Sequence, residues 1–133
     1  MTYFDTSVLV AVVLEAHPNH KECFAIFEVA RDRITSGHAL AESFSTLTAA
    51  YKVPNDVAAE LVLNLPERLK VEPLALPDYE TAIAEARQRG VMGGGIYDSL
   101  HATFARRRGA TRILTRNPGN FKHVAPDMEI IVP

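Results

Sequence analysis

MTYFDTSVLVAVVLEA, Met1 to Ala16, passes from a short β-forming triplet through an aspartate into a segment that is almost wholly apolar. Thr2-Tyr3-Phe4 reads as a strand. Val8 to Leu14 is rich in β-branched residues, which by propensity also favour a strand, but the Asp5-Thr6-Ser7 cluster before it is a helix N-cap signal. The stretch therefore predicts a strand running directly into a buried helix, with the Asp5 carboxylate at the junction. A charge at the margin of a core is costly unless it is paired, hydrogen-bonded or bound to a metal.

Outward from this junction the chain alternates strands and helices. His17 to Ala30 carries Cys23, Ile26, Phe27 and Ala30 at helical spacing. Arg33-Ile34-Thr35 predicts a second strand. Leu40, Phe44, Leu47 and Tyr51 then recur as one face of an amphipathic helix. Pro54-Asn55-Asp56 caps another helix, with Val57, Leu61 and Leu65 on one face. Val71 to Leu76 predicts a third strand, and Asp78 caps a helix that runs to Arg89 and stops at Gly90. A helix over Asp98 to Arg108 stops at Gly109. Arg112 to Thr115 and Met128 to Val132 give the last two strands. Strands separated by helical crossovers imply a mainly parallel sheet with helices on both faces. The expected fold is an α/β three-layer sandwich, with a central sheet of about five strands, as one domain over 1–133. In such sheets ligands bind outside the carboxyl ends of the strands. Asp5 follows the first strand and Asn117 follows the fourth, so parallel strands would project both from one edge.

Composition narrows the function. At 133 residues, 47% apolar and 23% charged, the chain is an ordinary globular length and mix. The run Ser7 to Leu14 falls far short of the roughly 20 residues that span a bilayer, and no basic stretch precedes it as in a signal peptide. The single cysteine, Cys23, excludes an internal disulfide framework and fits a reducing compartment, so a soluble cytoplasmic protein without membrane partners is expected. Sixteen acidic against 14 basic residues, a net charge of −2, make no general electrostatic case for nucleic acid. Arg106, Arg107, Arg108, Arg112 and Arg116 do cluster, either as a solvated helix end or as a phosphate-binding patch.

Three carboxylates stand apart: Asp5 at the strand–helix junction, Glu42 on the Leu40–Tyr51 helix, and Asp98 where Gly93-Gly94-Gly95 enters a helix. Together they offer the oxygen donors that Mg²⁺ takes, and such an ion activates water in phosphodiester cleavage. Each has a plainer reading. Asp5 and Asp98 serve equally well as helix N-caps, and Glu42 lies about 200° from Leu40, on the face away from the apolar stripe. The glycine triplet lacks the ending of a phosphate-binding loop and reads as a hinge or mobile loop. His17, His20 and Cys23 have helical spacing but no fourth zinc ligand. His101, one turn after Asp98, reads as a hydrogen-bonded structural histidine or as a phosphate contact. Cys23 reads as core.

In this order, YFDTSVLVAVV, HALAESFSTL and GIYDSLHATFARRRGATRILTRN resemble the three motifs of the PIN-domain family, and within it the VapC-type toxins of toxin–antitoxin pairs. The likeness covers essentially the whole chain. It implies a metal-dependent endoribonuclease whose acidic cluster falls on Asp5, Glu42 and Asp98, with Asp5 and Asp98 holding Mg²⁺ or Mn²⁺. Glu42 would complete the shell or orient the attacking water. Thr6 and Thr115 would stand at the site edge. Asn117 stands where a fourth acid is common, and Asn120 where another can precede the phenylalanine; an amide brings no negative charge, so a second metal is put in question. Asn117 and Thr115 would position water or phosphate, and Arg112 and Arg116 would contact the RNA backbone. The likeness also implies a cognate antitoxin and a homodimer. The competing expectation is a catalytically degenerate PIN-fold module that binds RNA or protein without cutting. An aspartyl-phosphate protein is disfavoured, because Asp5 is followed by Thr6-Ser7 rather than a second acid.

Overall fold

The computed structural model describes Met1–Pro133. Five short strands, β1 (Thr2–Phe4), β2 (Arg33–Ser36), β3 (Lys70–Glu72), β4 (Arg112–Leu114) and β5 (Glu129–Ile131), form one sheet in the order β3-β2-β1-β4-β5. All four pairings are parallel. The chain winds outward from β1 to β3, then returns to place β4 on the other side of β1. The sheet therefore has its switch point between β1 and β4, beside the residues that follow Phe4 and Leu114.

The strand pleat sorts the core into two layers. Tyr3 and Phe4 are both fully buried on opposite faces. Tyr3 packs with Ile34, Phe104, Ile113 and Phe121, beneath helices α6 (Gly95–Arg107) and α7 (Pro118–Phe121). Phe4 packs with Val8, Leu9, Cys23, Phe27 and Leu114, beneath α1 (Thr6–Val13) and α2 (His20–Val29). Helices α3 (Gly37–Ala49) and α4 (Asn55–Leu63) extend that second layer, where Val10, Leu47, Ala58 and Val62 form a satellite cluster. Helix α5 (Leu76–Glu85) packs against α6. This is the three-layer sandwich expected. The cap signal outweighed β propensity in Val8–Leu14: five of the eight α1 residues are buried, which suits a helix apolar all round.

Several expected details shift. The third strand ends at Glu72, and Leu76 already belongs to α5. That helix ends at Glu85 rather than Arg89. On α3 the buried residues are Ala39, Ser43 and Leu47, while Tyr51 lies beyond the helix and is exposed. On α4 Ala58 and Val62 are buried and Val57 is exposed, one residue out of phase with the expected stripe. Small residues mark the close approaches, and large apolar residues flank them. The four-residue helix α7 was not expected; Pro118 at its first turn supplies a fixed φ.

Candidate active site

Asp5 occupies the N-cap position of α1 with extended backbone, but its side chain caps no helix amide. Its Oδ2 instead accepts hydrogen bonds from Ser7 Oγ at 2.6 Å and Thr115 Oγ1 at 2.8 Å. Those hydroxyls in turn accept the backbone N–H groups of Arg116 (2.9 Å) and Asn117 (3.0 Å). The start of α1 and the turn after β4 are thus tied through one carboxylate, which is 6% exposed. Asp5 is tolerated in the core margin because these two hydroxyls donate to its carboxylate.

Glu42 leaves α3 toward the same place. Its Oε1 accepts from Thr6 Oγ1 at 3.1 Å and from His101 Nε2 at 2.6 Å, with His38 Nε2 at 3.9 Å. His101 is buried, and its Nδ1 lies 2.5 Å from the Tyr3 hydroxyl. Burial alone would push the Glu42 carboxyl up, yet the His101 bond and charge, His38 and Thr6 bring it below its ordinary value. For His101, burial would push the imidazole down; the bond and charge of Glu42, then Asp5 and Asp98, hold it above its ordinary value.

Asp98 is not a helix cap. Helix α6 begins at Gly95, three residues earlier than expected, because Gly93 takes a left-handed φ of 52° and lets the chain turn into the helix. Asp98 therefore sits one turn in. Its carboxyl is pushed up by burial and by Asp5, with Glu42 adding and His101 offsetting only in part; no hydrogen bond lowers it.

Asp5, Glu42 and Asp98 line one cavity of about 260 Å³ with Thr6, Ser7, Thr46, His101 and Asn117. Neither lysine nor arginine is among the lining residues. No three His, Cys, Asp or Glu side chains converge closely enough to make a ready-formed metal centre. The reason is visible: Asp5 is drawn to its hydroxyls and Glu42 to His101. The donor chemistry nevertheless fits a hard divalent cation, since oxygen ligands predominate and the Asp98 carboxyl, pushed up by burial and by Asp5 and Glu42, is only partly relieved by His101.

The remaining expectations divide. Thr6 and Asn117 line the cavity, and Thr115 is buried against Asp5. Asn120, exposed in α7, does not line it. Arg116 stands next to Ser7 through its backbone. Arg112 does not belong with them: it opens β4, at the sheet end remote from Asp5, and pairs with Glu129 at 2.9 Å. The arginine cluster at the end of α6 is likewise committed to acids. Arg106 pairs with Asp127, and Arg107 and Arg108 pair with Asp78. The phosphate-patch reading fails for these residues, because nine residues of helix carry the chain about 14 Å from Asp98 to Arg107. His17, His20 and Cys23 diverge; His20 Nδ1 lies 2.9 Å from the Ala11 carbonyl, and Cys23 is core. Sequence reasoning missed Ser7, Tyr3 and Thr46. Ser7 was legible in principle as a second hydroxyl two residues after Asp5, whereas Tyr3 and Thr46 meet the site only through folding.

Residues 2–126 match the family model described as the PIN domain. No curated protein matches the sequence significantly. Among solved structures, VapC20 of Mycobacterium tuberculosis, described as a sarcin–ricin-loop-cleaving toxin, superposes with a TM-score of 0.72 at 16% identity, over 85% of this chain and 87% of that one. The Rickettsia felis VapBC2 complex, bound to a promoter DNA fragment, gives 0.72 at 18% identity over 100% and 99%. FitAcB of Neisseria gonorrhoeae gives 0.70 at 19% identity over 98% and 96%.

Proposed function

The chain belongs to the PIN-domain family, and on that footing we propose that it is a divalent-metal-dependent endoribonuclease toxin neutralised by a cognate antitoxin. The observation that carries this reading is the convergence of Asp5, Glu42 and Asp98, from three separate elements, on one cavity lined by no lysine or arginine. Asp5 and Asp98 would hold Mg²⁺ or Mn²⁺, which supplies Lewis-acid stabilisation of the phosphoryl group and a lowered pKa for water.

The protein's own groups do the rest. Glu42, anchored through Oε1 by Thr6 and His101, offers Oε2 to orient the attacking water. Water attacks phosphorus in line, the P–O3′ bond breaks, and the products are a 5′-phosphate and a 3′-hydroxyl. The Asn117 amide would donate to a phosphate oxygen, and Thr6 Oγ1, whose proton goes to Glu42, would accept from the attacking water. His101 keeps Glu42 aimed rather than touching substrate. Arg116, beside Asn117, is the remaining backbone contact of the two arginines expected.

Antitoxin control is supported by the company the fold keeps, since several similar structures are toxin–antitoxin complexes. A cytoplasmic homodimer acting on RNA completes the proposal; no helix is long and apolar enough to cross a membrane. The test is cleavage of mixed cellular RNA by the purified chain with Mg²⁺, with Mn²⁺ and with EDTA. Discrete fragments that require the metal and vanish in Asp98→Ala are expected. Full cleavage by both Asp5→Ala and Asp98→Ala would sink the assignment. Asn117 in place of an acid, with no ready-formed metal cluster, favours the second reading, a binding-only module. Absence of Mn²⁺ binding near neutral pH would select it.

A further inference from the structure

A second cavity, of about 440 Å³, opens beside the acidic one and shares Ser7, Thr46 and Asn117 with it. The two adjoin along these three residues, and their chemistry differs. The larger, outer one is walled by His17, Asn19, Tyr51 and Arg116. None of these is acidic, and two are flat rings whose centroids lie 5.4 Å apart at 48°.

Tyr51 is 42% exposed although its spacing suits the core face of α3. It falls just past the helix end, where its N–H reaches Thr46 O at 3.3 Å. The next residue, Lys52, is the one non-glycine with positive φ, 55°, a conformation that side chains resist and that collects at functional sites. The chain thus turns sharply just after Tyr51, whose ring packs at a tilt against His17. His17 Nδ1 accepts the Asn19 N–H at 3.0 Å, which leaves the proton on Nε2. Burial and the charge of Arg116 hold this imidazole below its ordinary value, so it presents a neutral ring. Arg116 bonds an oxygen of the last residue, Pro133, and pairs with no aspartate or glutamate side chain, unlike Arg107, Arg108 and Arg112.

We propose that this outer cavity is a subsite for one unpaired RNA nucleotide adjoining the scissile phosphate, with its base stacked on Tyr51, its edge toward His17 and its phosphate on Arg116. The choice of substrate rests on the ribonuclease reading above. Aromatic rings with a guanidinium are the usual platform for single-stranded nucleic acid, since every base has a π-face. The Asn19 amide and the His17 Nε2–H add hydrogen-bond groups able to favour one base edge over another.

The test uses the full chain carrying Asp98→Asn, to stop turnover, and fluorescein-labelled hexaribonucleotides, intact or abasic at each position in turn. Fluorescence anisotropy gives the affinity. Adding Tyr51→Ala should weaken binding by roughly 5- to 150-fold, the range that base stacking supplies. Tyr51→Phe should bind within about twofold of its parent, because phenylalanine keeps the ring. One abasic position should weaken the parent and cost nothing further in Tyr51→Ala. The subsite is overturned by no binding, by Tyr51→Ala within twofold of the parent, by Tyr51→Phe as damaging as alanine, or by affinity indifferent to every abasic position. Cleavage by the unsubstituted chain, measured alongside, separates the two ideas. Cleavage without Tyr51-dependent binding removes the subsite alone, and Tyr51-dependent binding without cleavage removes the ribonuclease reading alone.

Discussion

Asp98 is the residue whose environment suits it least. Its pKa is raised by burial and by Asp5, so the folded chain binds its proton more tightly than the unfolded chain does. Above both pKa values the ionised group therefore costs stability. Asp98→Asn is expected to raise metal-free stability at pH 7 by on the order of 0.5–1 kcal/mol, after allowance for screening, while abolishing cleavage. Chemical denaturation in EDTA beside an RNA cleavage assay checks both halves; a destabilised Asp98→Asn contradicts the electrostatic account. His101 and Glu42 show the opposite sign. His101 has a raised pKa, so its contribution is complete below its ordinary 6.5 and is lost as pH rises through the folded value. Glu42 has a lowered pKa, so its contribution is complete above its ordinary 4.5 and is lost as pH falls through the folded value. The pair is worth most between those limits. His101→Gln, which also removes the His101 partner of the buried Tyr3 hydroxyl, is expected to cost about 2–4 kcal/mol there, and less above and below. Melting curves from pH 4 to pH 9 test this, and a pH-independent deficit refutes the ion pair.

At the scale of elements, two helix ends carry features that residue patterns conceal. Asp78 is fully buried in the third residue of α5. It accepts the Ala75 N–H at 2.7 Å and pairs with Arg108 at 2.6 Å and Arg107 at 2.9 Å. Arg108 also reaches Glu72 and the Pro73 carbonyl, so one cluster clamps β3, α5 and the end of α6. Burial would push the Asp78 carboxyl up, but Arg108, the Ala75 amide and Arg107 bring it below its ordinary value. Its contribution is present at neutral pH and is lost only as pH falls below 3.8 through the folded value. Asp78→Ala is expected to cost about 2–4 kcal/mol by denaturant titration at pH 7, leaving RNA cleavage by the surviving folded fraction unchanged. The other end is Lys52. A left-handed residue with a Cβ costs about 1–2 kcal/mol, and glycine recovers part of this while losing chain entropy. Lys52→Gly should therefore stabilise by about 0.5–1 kcal/mol in the same titration; Lys52→Ala should not.

Across the whole molecule, the sheet order is what makes the site. Because β1 and β4 are neighbours with the switch between them, Asp5 and Thr115 meet across 110 residues of chain. A divalent ion binding only the folded state should raise stability by about 2.7 kcal/mol at one hundred times its Kd. Mn²⁺ should raise the Tm of the parent, EDTA should reverse it, and Asp98→Asn should show no rise; an equal rise in both would place the metal elsewhere. The sequence alone determined the alternation of strands and helices, the parallel sheet and the strand–helix junction at Asp5, because these follow from local spacing, capping and pleat; the three acids it offered only as candidates, joined by the likeness to the family's motifs. It left Asp5 and Asp98 readable as helix caps and Glu42 as a solvated surface acid, since a single stripe of large apolar residues does not reveal that α3 packs through Ala39 and Ser43. Tertiary structure decided that Asp5 is held by Ser7 and Thr115 instead of capping α1, that His101 and Tyr3 stand behind Glu42, and that Arg112 lies at the wrong end of its strand. It also decided that Tyr51 leaves its helix to face His17. Each of these depends on which atoms meet across the sheet or beyond a helix end, and such meetings are set by packing and backbone turns rather than by any run of neighbouring residues.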